Sequence, residues 1–278
     1  MSGWRAGLAA LAGLVALTGC SGDSEPSAEP SASASTPSTT PVSPPTARPV
    51  PVPPRRACYR LDYEAAVAPT NDASPVPCRR SHTSQTYAVG RLDTLVSGHL
   101  LAVDSERVQA RVAATCPRRL ASYLGGTTEQ LRLSMLRAVW FTPTVEESDE
   151  GAGWYRCDVI AVAGDERLAR LDGRLAGILD TEAGRDRYGT CGTAEPGTEA
   201  FTRVICSADH SWRAIATVAI PGDRYPGVDS VRARGQGPCE DAGRAVADDA
   251  LDFQWGYEWP TVDDWRAGRH YGLCWAPD

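Results

Sequence analysis

Pro143-Thr-Val-Glu-Glu147 recurs as Pro260-Thr-Val-Asp-Asp264, and a cysteine stands fourteen residues beyond each proline, Cys157 in one case and Cys274 in the other. The match extends outward: Gly151 aligns with Gly268, Trp154 with Tyr271, and Cys78-x3-His82 with Cys206-x3-His210. The chain is therefore an internal duplication. Each half carries four cysteines, Cys58, Cys78, Cys116 and Cys157, then Cys191, Cys206, Cys239 and Cys274, with a histidine after the second. Any fold must be reachable twice, from two sequences that agree mainly in these positions.

Eight cysteines without a Cys-x2-Cys spacing, in a chain that reads as exported, indicate four disulfides and not zinc ligands. If each half closes on itself and both halves pair alike, roughly a hundred possible connectivities fall to three. The favoured one joins first to second and third to fourth. Short extended runs are expected at Val76–Cys78 and Phe201–Cys206, and longer strands at Thr86–Leu92 and Trp212–Ile220. Val108, Val112, Cys116, Leu120 and Leu124 recur every four residues, which predicts a helix that Asp104 or Ser105 can cap and Gly125-Gly126 stops. Its counterpart is expected from Cys239 to about Phe253, with Gly235-x-Gly237 before Pro238 read as a loop. Further strands are expected over Leu131–Phe141, Trp154–Ala163, Gly256–Pro260 and His270–Trp275. The fold class is α+β: two homologous disulfide-stapled halves, each of antiparallel strands plus one helix, related by a pseudo-twofold. Leu168, Leu171, Leu175 and Leu179 suit a helix in the connector, and Gly173 and Gly177 weaken it.

Upstream, Arg5 precedes an apolar run to Leu17, then Leu17-Thr-Gly-Cys20. This has the shape of a secretory signal, too short to span a bilayer, ending in a lipobox whose Cys20 would be lipidated. Residues 21–56 hold 10 Pro, 8 Ser and 4 Thr among 36 positions. Such a segment buries too little to offset its ordering entropy and reads as a tether, spanning roughly 33 Å as a coil. From Ala57 on, 24 arginines against 32 carboxylates leave a net charge of −8, which argues against sequence-independent nucleic-acid binding. The chain has no lysine, so Walker, Schiff-base and Ser-x-x-Lys chemistries are excluded.

His82 and His210 are the first site candidates: duplicate-equivalent histidines that can hydrogen-bond the local backbone, the favoured use, touch a partner, or, if packing brings them together, bind a metal or run acid-base chemistry. Glu146-Glu147 and Asp263-Asp264 are adjacent carboxylates suited to calcium or to one arm of a hydrolase pair, or to a solvated turn capped by Thr144 and Thr261. Trp255, Trp259 and Trp265 flank the Pro260 turn and are candidate aromatic anchors for a partner. No nucleophile elbow, His-Glu-x-x-His or spare thiol is present outside Cys20, so no catalytic residue, metal or cofactor is assigned.

Val76-Pro-Cys78-x3-His82, Pro143-Thr with Gly153-Trp-Tyr-Arg-Cys157, Val204-Ile-Cys206-x3-His210, Tyr225-Pro-Gly227 and Pro260-Thr through Cys274 together resemble the actinobacterial septum formation family, over roughly residues 57–278. The resemblance implies a part in division or septum assembly and carries over no catalytic residue. The expected layout is a lipoprotein signal peptide (1–19), a disordered tether (20–56), a first repeat (57–165), a connector (166–190) and a second repeat (191–278). The expected function is binding at the outer face of the cell membrane through a lipid anchor, to an envelope or division protein. The alternative is a wall-glycan module, or a wall hydrolase using the acidic residues.

Overall fold

The computed structural model describes residues 50–278; the signal peptide, Cys20 and most of the tether lie outside them. The first half runs β1 (Cys58–Tyr59), α1 (Tyr63–Val67), β2 (Ser84–Arg91), a small hairpin of β3 (Leu95–Val96) and β4 (His99–Leu100), α2 (Glu106–Leu124), α3 (Thr128–Arg132), β5 (Leu136–Phe141), α4 (Val145–Asp149), β6 (Trp154–Gly164) and β7 (Arg167–Leu168). After a 3-10 turn at Ile178–Asp180 come α5 (Glu182–Tyr188), β8 (Thr190–Gly192), β9 (Arg203–Ile205), β10 (Trp212–Ala219), α6 (Val228–Val246), β11 (Gly256–Glu258), α7 (Val262–Arg266) and β12 (Tyr271–Pro277).

The two antiparallel sheets have one topology. In the second half the order is β9-β8-β10-β12-β11; in the first it is β1-β2-β6-β5, with Val76 bridging to Cys58 where β9 would lie. Even the irregularities repeat, because the β2–β6 register shifts between Thr86 and Ala88 and the β10–β12 register between Ala214 and Ala216. Both sheets curl. Arg203 on β9 and Glu258 on β11 form an ion pair although their strands are outermost. In the first half the Pro69 carbonyl accepts from Thr142 N at 3.0 Å, drawing the α1 segment over the end of β5.

The disulfides join Cys58 to Cys78, Cys116 to Cys157, Cys191 to Cys206 and Cys239 to Cys274, the pairing that the duplicated order favours. The second and fourth tie α2 and α6 to the central strands β6 and β12. α2 presents Val108, Val112, Cys116, Leu120 and Leu124 to its sheet. Ser105 sits at its N-cap without capping it, its hydroxyl donating instead to the Ala102 carbonyl.

Three expectations need correction. α6 begins eleven residues before Cys239 and ends at Val246, because its buried stripe is Val231, Gly235, Cys239 and Gly243. Gly235 is thus helical, and a Cβ there would come within 1.9 Å of the Tyr257 ring; at Gly243 it would come within 2.6 Å of Trp255 Cβ. Aromatic rings fill the space that aliphatic side chains occupy on α2. Pro238, like Pro117 in α2, lies on the exposed side, where water can take the carbonyl bond it frees. Secondly, Leu131–Met135 is not strand: a capping box at Thr127 and Gln130 starts α3. Thirdly, 169–177 is irregular, with Gly173 and Gly177 at positive φ, although Leu171, Leu175 and Leu179 are fully buried. Their partner is Gln85, buried on β2, whose amide donates to the Gly173 carbonyl and accepts from Leu175 N.

These leucines share one core with Leu120, Leu124, Leu136, Val159 and Tyr188, joined by Ile205 from the second half. Met135 N donates to the Tyr188 carbonyl and Thr190 N to the Leu133 carbonyl, so the halves are continuous. Val50, which composition assigns to the tether, packs against the Tyr59–Phe141 cluster.

Candidate functional site

Where the inner faces of the two curled sheets can be superimposed, their chemistry is opposite. In the first half Ser84, Thr86, Arg156 and Asp158 are all buried. Asp158 accepts from Ser84 Oγ at 2.8 Å and Thr86 Oγ1 at 2.7 Å, and lies 3.2 Å from Arg156 Nε. The guanidinium sits between the Tyr59 and Phe141 rings, 4.1 and 4.3 Å from their centroids, and reaches Asn71 Oδ1. Thr86 pairs with Asp158 across the sheet as Ala214 pairs with Trp275, so the equivalent positions hold Trp212, Ala214, Leu273 and Trp275, an apolar cluster closed by Phe201. Burial pushes the Asp158 carboxyl up, against the opposing pull of Arg156 and the two hydroxyls. Sequence reasoning missed this pair. Its signal was Arg156-Cys157-Asp158 inside an otherwise apolar strand.

Neither histidine forms a reactive centre. His82 Nδ1 lies 2.9 Å from the Arg80 carbonyl and His210 Nδ1 2.6 Å from the Ala208 carbonyl, the same closure of the Cys-x3-His turn in both halves. His82 is wholly buried, which corrects its assignment as a partner contact. His210 is partly exposed, and its Nε2 meets Asp278 Oδ2 at 2.9 Å. Among the described residues one group has metal-ligand proximity, Cys191, His210 and Asp278, but Cys191 is bonded to Cys206 and offers no thiolate.

The repeated Pro-Thr-Val-acidic-acidic phrase is a helix start. Thr144 and Thr261 are N-caps of α4 and α7, and Glu147 and Asp264 return the bond to the cap backbone, completing capping boxes. The carboxylate of Asp264 also holds Arg269. Burial would raise its pKa, but Arg269 and the Thr261 amide and hydroxyl outweigh that and lower it from 3.8 to about 2. A depressed carboxylate contributes stability above its unfolded pKa that is lost as pH falls through the folded value. Denaturant titrations are therefore expected to show on the order of 2 kcal/mol lost between about pH 4 and pH 2. Asp264→Asn should flatten that segment of the profile; an unchanged slope would remove Asp264 as its source.

Among the tryptophans, Trp265 is a core residue: it is 7% exposed and stacks flat on His270 at 3.9 Å, which corrects its reading as a surface anchor. Trp255 and Trp259 are half-buried at the two ends of β11. Trp255 lies over Gly243, and Arg232 covers the Trp259 ring at 4.5 Å.

These features define a class: a duplicated, disulfide-stapled α+β protein whose repeats share a core. A family model described as Septum formation matches residues 31–145 and again 134–274, together most of the sequence, and the chain belongs to that family. The two matches meet within β5, not at the connector. No curated protein and no solved structure matches the chain. The disulfides are those of a protein that matures in an oxidising compartment, and no helix among the described residues is long and apolar enough to cross a membrane.

Proposed function

We propose that this chain is a lipid-anchored, extracytoplasmic protein of the cell envelope that serves septum formation by holding a protein partner, without catalysing a reaction. Family membership supports the link to septation, and the Leu17-Thr-Gly-Cys20 box supports the anchor. The observation that carries the binding role is the pair Trp255 and Trp259, partly exposed at the two ends of edge strand β11, while Trp212, Trp265 and Trp275 are buried. Of the acidic pairs on which the wall-hydrolase alternative rests, Glu147 and Asp264 are engaged as capping groups and Asp263 is paired with Arg266, which leaves Glu146.

The test is quantitative capture of crosslinked partners from envelope by wild type and by Trp259→Ala. Loss of an anchoring ring typically costs about 2 kcal/mol, roughly a thirtyfold weakening. Trp259→Tyr, which keeps an aromatic ring there, should restore most of the capture. Equal capture by all three proteins would remove this face from the function. Release of soluble wall fragments by wild type would overturn the non-catalytic reading.

A further inference from the structure

A cleft of about 440 Å³ opens where the β6–β7 hairpin of the first half meets β9 of the second, lined by Met135, Arg137, Val162, Asp165, Phe201 and Arg203 among others. The hairpin packs closely on β9 beside it: a Cβ on Gly164 would come within 2.9 Å of the Arg203 carbonyl. Arg203 is neutralised by Glu258, which takes both its Nε and Nη2. Arg137 and Asp165 are not neutralised, because among the described residues neither enters an ion pair. Each of the two groups is set by its own element. Arg137 is pinned through Nη1 to the Ser134 and Leu136 carbonyls at 2.7 and 2.9 Å. Asp165 sits in a two-residue turn closed by the Gly164–Arg167 pair, with both Asp165 and Glu166 at positive φ. Two-residue hairpin turns of this kind require positive φ at both central positions, so the turn sets where Asp165 lines the cleft.

We infer that this seam cleft binds a short peptide with both termini free, its carboxylate on Arg137, its ammonium on Asp165 and its side chains against Met135, Val162 and Phe201. Arginine's planar fork matches a carboxylate, and charge-assisted bonds at both ends select a zwitterion over a simple anion or cation. The cleft volume lies within the range of small-ligand sites. Neither Trp255 nor Trp259 lines this cleft, and the inference does not depend on the partner role proposed for them.

Titration calorimetry of the full chain with L-alanyl-L-alanine tests it, beside the N-acetylated peptide and the peptide amide. The free dipeptide is expected to bind, and each capped form at least tenfold more weakly, since one charged contact is lost. Arg137→Gln and Asp165→Asn should each weaken the free dipeptide roughly tenfold or more. Each should also lose its preference for the terminus it no longer recognises, a readout that a damaged fold would not give. Trp259→Ala should bind the dipeptide as wild type does, whatever its effect on partner capture. No heat with the free dipeptide, equal binding of the capped forms, or unaltered binding by both variants would each overturn the inference.

Discussion

Arg156→Met is expected to lower the unfolding free energy by about 3 to 5 kcal/mol, because it leaves Asp158 charged and buried without its partner. The loss should depend on pH with a definite sign. Burial already pushes the Asp158 carboxyl up in the wild type, and removing the guanidinium raises it further. A carboxyl with a raised folded pKa gives its full stability below the unfolded value and loses it as pH rises through the folded one. Chemical denaturation of the variant at pH 4 should therefore show a smaller deficit than at pH 7. The second half supplies the complementary test, because Leu273 and Trp275 occupy the equivalent positions in a stable sheet. A fourfold variant, Ser84→Ala, Thr86→Ala, Arg156→Met and Asp158→Leu, should return to within about 2 kcal/mol of wild type, since an apolar replacement removes the desolvation cost with the pair. If the single variant is as stable as wild type at pH 7, the pair contributes nothing to holding the sheet closed.

Removing the Cys239–Cys274 bridge by a double alanine substitution is expected to cost about 4 kcal/mol, the loop-entropy value for a closed loop of this size; its sequence separation is 35. The Cys116–Cys157 bridge, with separation 41, predicts nearly the same entropic loss. The two variants should nevertheless differ in where they loosen. α2 keeps Val108, Val112, Leu120 and Leu124 against its sheet after its cysteine is replaced. α6 keeps Val231 and two glycines, which hold it only through rings leaning from Trp255 and Tyr257. Hydrogen exchange should accordingly show α6 amides opening far below the global unfolding free energy in the first variant, while α2 stays protected in the second. Matching protection would mean that the aromatic packing alone secures α6.

The parts of this fold legible in the sequence are those where a residue type has one common use at its spacing. Cysteines in duplicated order constrain pairing, and the Val108-to-Leu124 stripe can bury one helical face only. Thr144 and Thr261 are legible as caps of a solvated turn, the favoured use of the acidic pairs over calcium or catalysis, and Glu147 and Asp264 close those same helices. The start of α6 was illegible because glycine, a poor helix former, stands where a ring from elsewhere needs the space. Gly235 records the presence of Tyr257, and only the fold brings them together. The same holds for Trp265 and His82, whose exposure depends on neighbours distant in sequence. The seam cleft was invisible for a related reason: Arg137 and Asp165 belong to a strand and a turn that look unremarkable until β9 closes against them.

The placement of the staples has a consequence for a chain held at one end and gripped at the other. A pull entering ahead of Val50 reaches Cys58, whose bond to Cys78 passes the force directly toward β2 and leaves the 20-residue separation between them unextended. The stretches closed by the other three bonds, with separations of 41, 15 and 35, are equally unable to pay out until a covalent bond breaks. Under tension the molecule would therefore lengthen only through the stretches between staples, Cys78 to Cys116, Cys157 to Cys191 and Cys206 to Cys239, so that about half of the chain beyond Cys58 is withheld even after its sheets have parted.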